Sequence, residues 1–379
     1  MESFILSLDP LQLSLAATLA VAFLIQLYYY FGPYARIPVY RQKINSKVAA
    51  PPVSVVVIIE DDLAFLEETL PKLLQQDYGE YEIVLVDNGS GPEAADMMAA
   101  LPLHDPRIKT TRINPDPKFP YRRKLILTVG IKACTYPNIL LTEADTFPVS
   151  DKWLSLMAKG FTDGDVVLGY CGLETRKGFT GRLIRCSRLM MSVRYLSSAM
   201  RGRPYRGILN NIGYTSEIYF KNRGYNYLRL NAGDDDLFVQ KVADRHNTAI
   251  IVNPNATVRQ HFSGGWKAWN SERKYYSYAF RFYPFGIKTY IFLELFSRFL
   301  FFASAIAVIA LQIPYVWWGA AGLILLRYLT VFFTVSRICT RLGEKGLLGA
   351  FILHDFLSPL SETLLSLARR MRPSKGLWS

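Results

Sequence analysis

Cysteine is scarce in this chain of 379 residues: there are four, and Cys134, Cys171, Cys186 and Cys339 stand isolated from one another. No gap between them has a metal-ligand spacing, so they read as small buried hydrophobes. Acidic residues are in deficit, 31 Asp and Glu against 44 Lys and Arg, for a net charge of +13. Such an excess usually marks a nucleic-acid surface or a surface held against anionic lipid. No aromatic RNA-binding motif or zinc-finger spacing accompanies it, so a membrane is the expected partner and nucleic acid is not. The N-terminal region lacks both a basic stretch ahead of its first apolar run and a small-residue cleavage site behind it. That run therefore reads as a retained anchor rather than a cleaved signal peptide.

Long apolar runs are present, in a chain that is 50% hydrophobic. Leu11 to Phe31 carries no charge and is long enough to cross a bilayer as a helix. Tyr290–Leu311 and Pro314–Val335 are two more such runs, joined by a short turn, and they read as a helical hairpin. Glu294 and Arg298 lie one turn apart in the first of these, where they either pair or sit at an interface. Arg36, Arg41, Lys43 and Lys47 follow the first run, and Arg337, Arg341 and Lys345 follow the last. The positive-inside rule then puts everything between in the cytoplasm, with three crossings and an outside N-terminus. The expected layout is a span at 11–31, a basic linker at 32–50, a soluble domain at 51–262 and an interfacial helix at 263–288. Spans at 289–311 and 314–335 follow, then an amphipathic segment at 347–370, interrupted by Pro359, on the cytoplasmic face.

Within the soluble part, Val53–Ile59 is a β-branched run of the kind buried on both faces of a parallel sheet. Leu63, Leu66, Leu70, Leu73 and Leu74 follow at helical spacing. Strands at Tyr81–Val86, Ile108–Ile113 and Asn138–Thr142 alternate with helices near 92–101 and 121–134. That alternation predicts an α/β domain with a mainly parallel sheet, whose ligands bind beyond the carboxyl ends of the strands. Acidic residues gather at those ends: Glu60 and Asp61, Asp87, and the pair Glu143 and Asp145. Carboxylates there suit a hard divalent cation that bridges to substrate phosphates, although a helix cap and a solvated loop would use the same residues.

Five segments, in this order and spacing, resemble family 2 glycosyltransferases. They are Ser54-Val-Val-Val-Ile-Ile-Glu-Asp-Asp, Val86-Asp-Asn-Gly-Ser90, Arg123-Lys-Leu-Ile-Leu-Thr-Val-Gly-Ile-Lys-Ala133, Thr142-Glu-Ala-Asp-Thr-Phe-Pro148 and Gly233-Asp-Asp-Asp-Leu-Phe238. The resemblance implies a GT-A fold, a nucleotide-diphosphate sugar donor, Mg²⁺ or Mn²⁺, and inversion at the anomeric carbon. It gives Asp87 the donor's base or ribose, with an Asx turn as the plain alternative. Glu60 and Asp61 depart from the family's usual loop, and either touch the nucleoside or cap the following helix. Lys124 takes the place of a basic residue over the diphosphate, with Arg122 and Arg123 beside it; a solvated helix start is the alternative.

Glu143 and Asp145 replace the family's Asp-x-Asp, so the resemblance makes Asp145 the direct metal ligand with Glu143 acting beside it. Capping accounts for one or two of Asp234, Asp235 and Asp236 but does not call for three; Asp235, then Asp234, is the candidate proton acceptor. The segment from His261 to Tyr276 stands in for a Gln-x-x-Arg-Trp motif but has no Arg-Trp, which puts processive polymerisation in doubt. There Trp266 and Trp269 could stack on a sugar and Arg273 could meet a phosphate, or the whole segment could be an interfacial helix. Arg201–Asn211 lies where acceptors enter similar enzymes. The expected activity is transfer to a lipid-linked glycan during envelope polysaccharide or glycolipid synthesis at the bacterial inner membrane. A polyprenyl-phosphate glycosyltransferase and a non-catalytic scaffold are the alternatives.

Overall fold

A computed structural model describes residues 9–41, 48–59, 63–113, 122–225, 233, 235–312 and 316–371. Among them a seven-stranded sheet runs in the order β3-β2-β1-β4-β8-β6-β9. Its strands are β1 (Val53–Ile59), β2 (Tyr81–Asp87), β3 (Ile108–Arg112), β4 (Asn138–Glu143), β6 (Val166–Leu168), β8 (Ile212–Thr215) and β9 (Thr248–Ile250). β1 to β4 are parallel, whereas β8 runs antiparallel to both β4 and β6. Every residue of β1 and β2 is buried, as β-branched runs between two helical layers should be. Ile59 is in register with Asp87, and Ile58 with Glu143, so β2, β1 and β4 end at one level. Two strand spacings then put Asp87 and Glu143 about 10 Å apart on one rim.

Helices α2 (Leu63–Leu74), α3 (Pro92–His104) and α4 (Arg122–Ala133) make the crossovers. Close contact of α4 with the sheet depends on Gly130. A Cβ there would lie 2.6 Å from Val56 Cγ1 and 2.7 Å from Val86 Cγ2. Gly130→Val should therefore lower stability by about 1–3 kcal/mol through overpacking. A denaturant melt midpoint unchanged from the parent would show instead that α4 can lift away freely.

A second, three-stranded sheet places β10 (Val258–Phe262) between β5 (Thr146–Pro148) and β7 (Cys171–Thr175). Pairing of Gln260 with Thr146 brings β10 onto the end of β4. Helix α5 (Phe179–Ala199) packs on β7, and α6 (Leu237–Val242) and α7 (Trp266–Ser277) complete the domain.

Three helices are long and apolar enough to cross a membrane: Pro10–Val39, which begins with α1 (Pro10–Tyr29), then α8 (Phe285–Ala310) and α9 (Val316–Arg341). Leu19, Ala22 and Phe23 of α1 meet Phe301, Ala305 and Val308 of α8 and Ala320 of α9. Below this apolar layer lies a buried polar one. Glu294 and Arg298 do pair, and Arg298 also reaches Asp355 at 3.4 Å. Asp355 accepts from Arg327 Nη1 at 2.5 Å and from the Tyr30 hydroxyl at 3.3 Å. Gln26 ties the spans together, donating to Ser297 and accepting from Arg327.

Asp355 belongs to α10 (Leu348–Met371). This helix is amphipathic with its polar side inward: Asp355, Ser358 and His354 are buried, while Ile352, Leu360 and Leu364 are 46–66% exposed. A helix lying in water would have the opposite orientation.

Candidate active site

The centre of the site is the acid pair at the end of β4. Glu143 is paired with Arg123 from the first turn of α4 and accepts from Asn210 Nδ2 at 2.7 Å. Asn210 stands in the 3-10 turn ahead of β8, and the same amide donates to Thr146 Oγ1 at 2.7 Å. Thr146 in turn donates to Asp145 Oδ1 at 2.9 Å. Gln260 Nε2 donates to Asp145 Oδ2 at 3.0 Å and lies 3.5 Å from Glu143 Oε2. One amide thus faces both carboxylates.

The orientation of that amide is set from behind. Arg188, fully buried on α5, donates to Gln260 Oε1 at 2.9 Å and to Glu272 Oε1 at 3.0 Å. With its oxygen engaged by a guanidinium, Gln260 can only present its NH₂ to the acids. Arg188 also lies over the Trp269 ring, 5.3 Å from the ring centroid. Trp269 is fully buried, clustered with Leu173 and Ile184, so it is a wall of the site and not an exposed platform for a sugar.

Asp235 and Asp236 divide their work. Asp236 caps α6, accepting from Leu237 N at 2.6 Å, and accepts from the Tyr283 hydroxyl at 2.7 Å. Asp235 is buried with Arg206 Nη2 at 3.5 Å, and its backbone carbonyl takes the Gly207 N–H at 2.8 Å. Arg206 lies over the Tyr276 ring, 4.6 Å from the centroid. Helix α7 links the two acidic groups: its Glu272 shares Arg188 with Gln260, the partner of Asp145, and its Tyr276 lies under Arg206, the partner of Asp235. Burial holds the Tyr276 hydroxyl well above the usual tyrosine range, and therefore protonated. Burial also pushes the Glu272 carboxyl up, with Arg188 pulling it the other way.

Asp87 is buried on the same rim. Its Oδ1 accepts from Ser90 N at 3.0 Å and Ser90 Oγ at 2.6 Å, which is the Asx-type turn. Among the described residues its Oδ2 accepts no hydrogen bond, and Arg112 Nε lies 3.2 Å from it as an ion-pair partner. A buried carboxylate oxygen with capacity to spare is what a nucleoside donor group needs. Lys124 is buried in the first turn of α4, beside Arg123. Arg273 lies apart from the acid pair's partners: it bonds Glu362 of α10 at 2.8 Å and Asn270 at 3.0 Å. Glu60, Asp61 and Asp234 lie outside the described residues.

Gln260 and Arg188 had no role in the sequence reading, and Asn210 entered it only as part of the segment where acceptors enter. A neutral amide in a strand and an arginine inside a helix carry no local signature. Glu272 lies in the segment that departs from Arg-Trp.

From Arg206 and Tyr276 a cavity of about 1000 Å³ runs along α8 and α10. Its far walls are apolar, with Phe292, Leu295, Phe296, Phe299 and Leu360.

Among the described residues no three or more His, Cys, Asp or Glu side chains group as a complete protein-built metal site. A small hard cation is held by one or two carboxylates plus substrate phosphates, and Asp145 with Glu143 offers that donor set. The chemistry of the pair therefore fits such an ion.

A mainly parallel sheet with acidic carboxyl ends, closed by a small second sheet, is the GT-A architecture. Residues 54–222 match the family described as glycosyl transferase family 2. The mannosyltransferase PcManGT of Pyrobaculum calidifontis, solved with GDP-Man and Mn²⁺, superposes with a TM-score of 0.57 at 17% identity, over 92% of this chain and 98% of that one. TarS residues 1–349 of S. aureus with UDP-GlcNAc is more distant, at a TM-score of 0.40 and 14% identity, over 84% and 92% of the two chains. No curated protein sequence matches the chain.

Proposed function

We propose that the chain moves a sugar, with inversion, from a nucleotide-diphosphate sugar to a membrane-proximal acceptor, a lipid-linked glycan. The observation that carries this reading is the link between the two acidic groups. Side-chain contacts through Gln260, Arg188 and helix α7 connect the acid pair at the end of β4 to the Asp235–Arg206 pair, and a long apolar cavity opens beside Arg206 and Tyr276. Donor binding by the structural relative supports the donor class, and the basic flanks of the spans support a cytoplasmic site in a multi-pass inner-membrane protein.

The donor lies across the ends of β2, β1 and β4. Asp87 takes the nucleoside through its spare oxygen, and Lys124 and Arg123 offset the diphosphate charge. Asp145, with Glu143 beside it, holds Mg²⁺ or Mn²⁺, which when bound withdraws charge from the departing diphosphate. Asp235 accepts the proton of the acceptor hydroxyl as that oxygen bonds to the anomeric carbon. The bond from that carbon to the diphosphate oxygen breaks on the opposite face, and the nucleoside diphosphate leaves.

Mass spectrometry of lipid extracts incubated with a donor panel reads this directly. Asp235→Asn should lose transfer by about 10²–10⁴-fold. Near-parental transfer in that variant would favour the lipid phosphate itself as acceptor, because it needs no strong base. Absence of nucleotide-sugar turnover with every donor and both metals would leave only a scaffold.

A further inference from the structure

We propose that the cavity beside Asp235 binds a lipid presenting a phosphate on a single apolar chain, with the phosphate on Arg206 and Arg273. The inference rests on the glycosyltransferase reading and names the lipid to which its acceptor is attached.

The apolar end is built for a chain. Leu295, Phe296 and Phe299 come from α8, a helix apolar enough to span a membrane, and Leu360 comes from α10, whose outer face is apolar. The space thus opens along surfaces that water would not wet. At about 1000 Å³ it lies at the upper limit of small-molecule sites. That is room for a head group and part of an apolar chain, and the probes below separate one chain from two.

The polar end is built for an anion. Arg194, Arg206, Arg273 and Lys288 line the cavity against a single acid, Glu362. Arg206 is 7% exposed, yet its Nε and Nη2 make no hydrogen bond among the described residues. Nη2 stands 3.5 Å from Asp235 Oδ2, which leaves the Nε–H as the buried group in need of an acceptor among the described residues, and a phosphate oxygen would satisfy it. Glu362 stands where a second anion would: its Oε1 is 2.8 Å from Arg273 and 4.0 Å from Arg194. In the resting protein this carboxylate takes the place of a ligand oxygen, and a bound phosphate displaces it.

The test uses the full chain in neutral detergent and native mass spectrometry with three probes: a long isoprenyl monophosphate, its uncharged alcohol, and phosphatidylglycerol. Monophosphate should bind at least about tenfold more tightly than either of the others, roughly 1.4 kcal/mol. Arg273→Gln should weaken monophosphate about tenfold and leave the alcohol unchanged, and Glu362→Gln should tighten it. Leu295→Trp, which fills the chain end, should weaken monophosphate and alcohol alike. A large excess of inorganic phosphate should not compete.

Equal binding of alcohol and monophosphate overturns the proposal, as does equal binding of phosphatidylglycerol, which would mark an ordinary bilayer lipid. So does an unchanged or weaker affinity in Glu362→Gln, provided its melting temperature matches the parent. Asp145→Asn should bind the lipid as the parent does, so loss of sugar transfer and loss of lipid binding are read apart.

Discussion

Asp145→Asn should lose sugar transfer by on the order of 10³-fold, with the fold intact. The substitution preserves shape, and its amide oxygen can still accept from Gln260, now 3.0 Å from Oδ2. What disappears is the negative charge that would hold the proposed cation. Glu143→Gln should cost less, because Glu143 is already balanced by Arg123 and Asn210. A chelator should reproduce the Asp145→Asn loss in the parent protein, and Mn²⁺ or Mg²⁺ should restore it. Full parental turnover in the presence of chelator, alongside an inactive Asp145→Asn, would remove the metal from this mechanism and leave the carboxylate another role.

Asp355→Asn carries the largest expected stability effect. Asp355 is fully buried and joins Arg327 and Arg298 from two different spans to α10. Without its charge, Arg327 is left with the neutral Gln26 oxygen, and Arg298 with Glu294, which also serves Arg194 at 3.0 Å. Breaking a buried pair from one side costs about 3–5 kcal/mol, because an uncompensated charge remains. Replacing both partners by apolar residues removes that charge, so Asp355→Leu with Arg327→Met should recover much of the loss. Thermal melts in detergent would show both effects. Identical melting of Asp355→Asn and the parent would mean that the network does not hold α10 in place.

A rim of carboxylates was legible from order alone. β-Branched runs closing in Asp87 and in Glu143-Ala-Asp145 state where parallel strands stop, and strand ends in such a sheet are where ligands sit. The three long apolar runs were legible for the same reason, since length and lack of charge are local properties. The expectation of a mainly parallel sheet held for β1 to β4, but β8 and β6 are too short and too irregular in pattern for their direction to be read.

Sequence by itself determined the α/β domain, the acidic edge and the helices able to cross a membrane, because periodicity and strand ends are written in neighbouring residues. Tertiary structure alone decided which aspartate caps α6 and which pairs with Arg206. It also decided that Gln260 and Arg188 hold the acid pair and that α10 turns its polar side inward. Each of these rests on a partner between 28 and 117 residues away. Charge and hydrogen-bonding capacity can be read from a residue's name, but its partner is known only once the chain has closed the loop between them.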